Sequence, residues 1–268
     1  MSPMQMRLDL DAKQALALLP VVDEATARLI RTVHDEQLHP QQPSALAGWT
    51  IANVLSHLWY GAVASLRMTR QVIDGHAEVD FYPGGADERE ASIRSGDGYS
   101  REELVQRLQQ TSSQLTDAWK RLDQSDWQRT FVEPRLGPIA LTRLVILRLT
   151  ELEVHHTDLG AGYAHNQWDP TFVAYSLPLR VAWLPRHHRV RADADLTVNG
   201  RWNLRVQDGQ GWVVQADGER AEVVPGHSRH DPVIQGTPAQ LLALLLGRPA
   251  GIEPTQEIHR FKQAFPGP

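Results

Sequence analysis

The apolar residues of this chain change their period part-way along. Up to Gly160 they recur three and four apart; beyond it they alternate within short segments separated by glycine-containing turns. The first pattern fits helices that bury one stripe, and the second fits strands that bury one face. One uniform architecture cannot satisfy both. The sequence therefore predicts an α+β chain, with a four-helix bundle over residues 1–165 and a smaller α/β domain containing an antiparallel sheet over 166–268.

Residues 9–35 read as the first helix, with Leu16, Leu18, Leu19, Val22, Ala25 and Leu29 along it. HPQQPSALAGW breaks that helix, and Thr50 is placed to cap a second one, which runs from Ile51 to Gly75. Pro83-Gly84-Gly85 marks HAEVDFYPGGADERE as a loop. Ser100, three residues before Glu103, opens the third helix with a capping box. Residues 123–139 read as irregular with a short extended piece, and 139–160 as the fourth helix. Past Gly162, WDPTFVAYSLPLRVAWLPRHH is apolar but broken by prolines. ADLTVNGRWNLRV and GWVVQADGERAEVV read as antiparallel strands, and DPVIQGTPAQLLALLLGRPAG as a strand, a turn and an amphipathic helix.

Composition narrows the chemistry. The chain of 268 residues has no cysteine, so a metal site must draw on His, Asp and Glu. A net charge of −5, with basic residues scattered singly, points away from nucleic acid as a partner. The first residues carry no long apolar segment, and the longest apolar run, near LLALLLG, is far shorter than the roughly 20 residues that span a bilayer. A cytoplasmic protein, monomeric or homodimeric, is the expectation.

The segment RLTELEVHHTDLG, Arg148 to Gly160, concentrates ionisable residues in the fourth helix. At about 100° per residue, Leu141, Leu144, Val145, Arg148, Leu152 and Leu159 form the buried stripe. Glu151 and His155 lie roughly 40° apart on its edge, one turn from each other. Glu153 points well away from the core in this reading, and His156 falls on the far side. Two ligands a turn apart can converge on one metal in a bundle, although such a pair on a long helix is more often solvated. His57, on the flank of the second helix, is the best third ligand; Gly61, a turn away, leaves room beside it. His76 is less attractive at the helix terminus. Asp158 is placed to orient the His155 imidazole. His187, His188, His227, His230 and His259 have no partner spacing and read as surface or loop histidines. Trp49 and Trp59, close to His57 in sequence, offer aromatic faces for a quaternary ammonium, with core packing as the alternative.

LAGWTIANVLSHLWYGA, RLTELEVHHTDLG and PVIQGTPAQLLALLLGR together resemble the DinB-like, mycothiol-dependent maleylpyruvate isomerase family, in order and spacing over most of the chain. The resemblance implies an N-terminal DinB-like bundle, a C-terminal α/β domain, and a divalent metal, usually zinc, held by His57, Glu151 and His155. It also implies Arg89, in FYPGGADER, and Arg248, ending LLLGR, as catalytic arginines that bind an acidic substrate, with Arg94 competing with Arg89. The implied reaction is thiol-dependent cis-trans isomerisation. The alternative on the same metal is S-transfer of a small thiol to an electrophile. The thiol cofactor is mycothiol, ergothioneine or bacillithiol.

Overall fold

The computed structural model describes residues 10–190, 198–207 and 209–267. They divide into two compact units, with the change-over between Ala164 and His165.

The first unit is built on four long helices: α1 (Ala12–Asp35), α2 (Ile51–Ile73), α4 (Arg101–Lys120) and α6 (Arg143–Asp158). Between them lie α3 (Gly85–Arg94), the short α5 (Gln124–Trp127) and a hairpin of β1 (Thr130–Glu133) and β2 (Gly137–Ala140). Thr50 with Asn53, and Ser100 with Glu103, form reciprocal capping boxes at the starts of α2 and α4, as their spacing predicts. The fourth helix begins later than expected, because residues 137–140 pair in the hairpin. α1 packs on α4 and α6, and α2 packs on the same two helices. Consecutive helices α1 and α2 therefore stand on a diagonal, and α2 is the direct neighbour of α6. That adjacency brings His57 to Glu151 and His155.

The segment expected to be a loop is partly helical. After Gly85, whose φ is +69°, ADEREASIR forms α3, with Asp87 and Glu88 in its first turn and Arg94 in its last. This charge order suits the helix dipole. α3 and the 3₁₀ turn after it (Ser95–Gly98) cover the N-terminal half of α2, where every residue from Ile51 to Leu58 is buried. Ser56 Oγ donates to the Ser92 carbonyl at 2.7 Å, and Asn53 Nδ2 donates to Asp97 Oδ1 at 2.7 Å. Gly96 permits this approach: a Cβ there would lie 2.6 Å from the Ala52 carbonyl oxygen.

The second unit holds α7 (Pro170–Val190), β3 (Gly200–Val206), β4 (Gly211–Asp217), β5 (Arg220–Pro225), β6 (Val233–Gly236), α8 (Pro238–Leu245) and α9 (Gln256–Ala264). The sheet order is β5-β4-β3-β6. β3, β4 and β5 run antiparallel, but β6 lies parallel to β3 with Leu204 opposite Ile234, so the sheet is mixed. Residues 191–197, which include the first four residues of the expected strand ADLTVNGRWNLRV, and Asp208 lie outside the described residues. α7 is helical despite Pro178 and Pro185. The two prolines are seven residues apart, so they share a half-exposed face within roughly 20°, while Phe172, Val173, Leu177, Val181 and Leu184 are buried. α9, which the sequence reading did not anticipate, sets Phe261 and Phe265 on Trp202 at 5.6 and 6.2 Å between ring centroids.

His188 corrects the expectation of a surface histidine. It is buried, with Nδ1 3.0 Å from the Ala264 carbonyl and Nε2 2.8 Å from the Gly218 carbonyl. Both partners are carbonyls, so the ring spans two backbone acceptors of the second unit. The His187 side chain lies outside the described residues.

Candidate metal centre

His57 projects from the enclosed half of α2 toward α6, where Glu151 and His155 stand one turn apart. One ligating atom from each of the three lies within 4.8 Å of the others. Glu151 Oε2 is 2.8 Å from His57 Nε2 and 3.4 Å from His155 Nε2. The two imidazoles meet edge to face at 4.8 Å. Their side chains are 9% and 12% exposed, whereas that of Glu151 is 44% exposed, so the cluster opens to solvent on the carboxylate side.

Behind this group, His155 Nδ1 donates to Asp158 Oδ2 at 2.8 Å. This fixes the ring and leaves Nε2 turned toward Glu151. His57 has no such support: its Nδ1 is buried without a hydrogen-bond partner among the described residues. Two imidazoles and one carboxylate make a donor set that catalytic zinc uses, with a fourth position open. The residues present therefore fit a small divalent cation.

Electrostatics follow the geometry. Burial pushes the His57 imidazole below its ordinary value, and the hydrogen bond and charge of Glu151 only partly oppose this. For Glu151, desolvation acts to raise the carboxyl, but the hydrogen bonds from His155 and His57 outweigh it and hold it well below the carboxylate range. Its open side weakens the desolvation and reinforces that direction. Burial lowers His155, yet Asp158 and Glu151 together raise it to about 9. A metal must therefore displace a proton from His155 at neutral pH.

Trp49 and Arg89 border the cluster. The Trp49 ring lies nearly parallel to His155 at 6.4 Å and edge-on to His57 at 5.6 Å. The Arg89 guanidinium carbon is 5.8 Å from the Trp49 ring centroid, and its charge acts on His57. Among the described residues this guanidinium makes no ion pair. Arg94, its competitor in the sequence, is instead tied to Glu90 Oε1 at 2.8 Å and Asn53 Oδ1 at 3.0 Å. Trp59 stands apart from this group. It packs against Tyr60, Tyr99 and Arg107, on a side of α2 about 200° from His57. His76 is exposed, with Nδ1 on the Gln71 carbonyl at the end of α2. Arg248 belongs to the second unit, just past α8, and donates from Nη1 to the Leu246 carbonyl at 2.9 Å. Gly61 faces Arg148 rather than His57: a Cβ there would meet Arg148 Nη1 at 3.7 Å.

Two features escaped the sequence reading. Tyr82, in the segment before α3, is buried, and burial followed by the charge of Glu151 raises its phenol above the ordinary value. An aromatic residue seven positions before Arg89 was the available signal. The second is a buried polar group on the other face of α6. Glu153 is buried rather than directed away from the core. Its Oε1 accepts from Arg28 Nη2 at 2.5 Å and its Oε2 from Tyr163 Oη at 2.5 Å. His156 is buried beside it, stacked on Tyr163 at 3.7 Å with Nε2 2.8 Å from Thr32 Oγ1.

Burial, with the charge of Arg28, pushes His156 down to about 3. Its ring is then neutral in the folded protein while the unfolded chain takes up a proton below about pH 6.5. Stability from this group is fully present above pH 6.5 and is lost at about 1.4 kcal/mol per pH unit as the pH falls toward 3. Urea unfolding of wild type and His156→Gln at pH 7 and pH 5 checks this. The wild type is expected to lose more stability between the two values than the variant; equal losses would contradict it.

The sequence matches the family model of the mycothiol maleylpyruvate isomerase N-terminal domain over residues 19–160. Among solved structures, the chain is similar to the crystal structure of the mycothiol-dependent maleylpyruvate isomerase, with a TM-score of 0.69 and 18% identity, covering 91% of this chain and 92% of that one. A mutant of that enzyme matches with a TM-score of 0.68 at 17% identity over the same shares. A probable metal-dependent hydrolase from Bacillus subtilis, with an unusual four-helix bundle topology, covers 60% of this chain and 91% of its own at a TM-score of 0.49 and 19% identity. No curated protein sequence matches the chain significantly. At these identities the structural likeness speaks for the fold. Among the described residues no helix is long and apolar enough to cross a membrane. The family model spans more than half of the sequence and includes all three clustered candidate ligands, and the chain belongs to the mycothiol maleylpyruvate isomerase N-terminal domain family.

Proposed function

We propose that this protein is a zinc-dependent cis-trans isomerase of maleylpyruvate type that uses a small thiol, mycothiol or ergothioneine, as a returning cofactor. The observation that carries the reading is the convergence of Glu151 with His57 and His155 beside the Arg89 guanidinium. The metal-binding part belongs to residues 1–165, and Arg248 to 166–268.

In such a reaction the thiol sulfur adds to one carbon of the cis double bond. The bond, now single, rotates. The carbon–sulfur bond then breaks and the double bond returns as trans, so the thiol and its proton are recovered. His57 and His155, through Nε2, and the Glu151 carboxylate would hold the metal. When bound, a divalent cation with an open position would lower the pKa of a thiol held there and supply thiolate near neutral pH.

The chain's own residues supply the rest. Asp158 keeps the His155 ring aimed at Glu151. Arg89 offers a planar fork to a carboxylate of the substrate. Trp49 shields one side of the imidazoles and presents a face suited to a betaine thiol. We do not extend that role to Trp59. The Tyr82 phenol stays protonated at neutral pH and is a hydrogen-bond donor within the field of Glu151.

The test is turnover of maleylpyruvate by zinc-loaded protein with mycothiol, ergothioneine and bacillithiol in turn. The expected result is trans product in large excess over the thiol supplied, with one thiol preferred. Consumption of one thiol per product would mean S-transfer instead, and no turnover with any thiol would contradict the reading.

A further inference from the structure

Arg148 is one of the least exposed ionisable residues of the first unit, at 2%. It stands on α6 one turn before Glu151 and reaches across two helices. Nη1 donates to the Leu58 carbonyl of α2 at 2.7 Å, and Nη2 donates to Ser112 Oγ of α4 at 3.0 Å. Leu58 is the residue next to His57. The Leu58 carbonyl lies inside a helix, where the backbone already uses it, so the guanidinium takes a second lone pair of that oxygen. Nε has no partner among the described residues. Burial lowers this guanidinium to about 10, opposed by the charge of Glu151.

A buried arginine arranged only for stability would normally sit against a carboxylate with its donors filled. This one spends two of its donors on uncharged groups, one on the ligand-bearing helix α2 and one on α4. From these contacts we infer that Arg148 is a positioning residue of the metal centre, locking α2 to α6 so that His57 Nε2 is held against Glu151. The inference rests on the metal-centre reading above.

The lock acts at both ends of the ligand set. On α2 it grips the carbonyl of Leu58, the residue after His57. On α6 it starts from the turn that carries Glu151, and Ser112 braces it from α4. Gly61 lies alongside the guanidinium, where a Cβ would stand in ordinary contact, 3.7 Å from Nη1. Loss of the fork frees the α2–α6 spacing at the level of the ligands without removing a ligand.

The test is competitive titration of metal-stripped wild type, Arg148→Met, Arg148→Lys and Ser112→Ala with Zn²⁺ at one pH. It is read beside the unfolding temperature of each metal-free protein and the visible spectrum of its Co²⁺ form. Zinc affinity is expected to fall roughly tenfold or more in Arg148→Met, as for other outer supports of metal ligands. A smaller fall is expected in Ser112→Ala, and partial rescue in Arg148→Lys. The Co²⁺ spectrum is expected to change with the affinity. A merely structural role would lower the unfolding temperature and leave affinity and spectrum at wild-type values, which overturns the inference. Should Arg148→Met fail to fold, unchanged affinity in both Ser112→Ala and Arg148→Lys overturns it equally. Wild-type protein that binds no zinc would remove the metal-centre reading and this inference with it, whereas binding by wild type and all variants alike removes the inference alone.

Discussion

Replacing His155 by alanine is expected to weaken zinc binding by more than roughly 100-fold, beyond the loss seen when only an outer support of a ligand is removed, and to reduce thiol-dependent turnover to background. The substitution leaves His57 and Glu151, two ligands where a catalytic zinc uses three. It also removes the ring that Asp158 holds and Trp49 stacks on. Glu151→Gln is expected to act as strongly by a different route. It keeps the volume but gives up the charge that both imidazoles face. Asp158→Asn retains all three ligands and is expected to fall in the range of about 10- to 100-fold. Equilibrium dialysis against a chelator of known affinity measures all three. An order of effects with Asp158→Asn largest would contradict the assignment of His155 and Glu151 as ligands.

The second large effect concerns stability. Glu153→Ala is expected to destabilise the protein by about 3 kcal/mol, the lower end for breaking a buried ion pair, because the Arg28 side chain is 26% exposed and regains some hydration. The Tyr163 hydroxyl loses an acceptor in the same step. Replacing both Arg28 and Glu153 by methionine is expected to recover much of that loss, since no unpaired charge is then left behind. Urea unfolding of Arg28→Met, Glu153→Met and the double measures the coupling. A loss below about 1 kcal/mol in Glu153→Ala, as for an exposed pair, would show that the group is solvated in solution.

The candidate site was more legible in the sequence than the surroundings that hold it. Glu151 and His155 could be paired by helical phase alone, because a one-turn spacing survives any placement of the helix. Asp158 followed from the same arithmetic. His57 stood out as the best third candidate from its place on the second helix, and the family resemblance pointed to it as well, but periodicity does not encode the neighbour relation of α2 and α6 that joins it to the pair. Arg89 likewise came from resemblance, since α3 is mostly polar, buries only Ser92 and Ile93, and offers little apolar period to read.

Glu153 shows where the phase argument failed. It assumed one buried stripe on the fourth helix, but α6 is enclosed by α1 on one side and α2 on another, so a residue turned from the main stripe is still inside. Arg148 shows the converse. Its place in the buried stripe was correct, but its partners, the Leu58 carbonyl and Ser112, are distant in sequence and carry no spacing signal. In the second unit, the prolines of α7 masked a helix whose buried residues keep their period around them, and the parallel pairing of β6 with β3 joins segments distant in sequence, which alternation within a strand does not encode.

The central claim is that His57, Glu151 and His155 form one divalent-metal site. Metal analysis of metal-stripped protein reconstituted with Zn²⁺ and dialysed tests it most directly, with His57→Ala treated in parallel. The expected result is close to one zinc per chain in the wild type and little in the variant. Wild-type protein that retains no zinc, or a His57→Ala variant that retains as much, would contradict it.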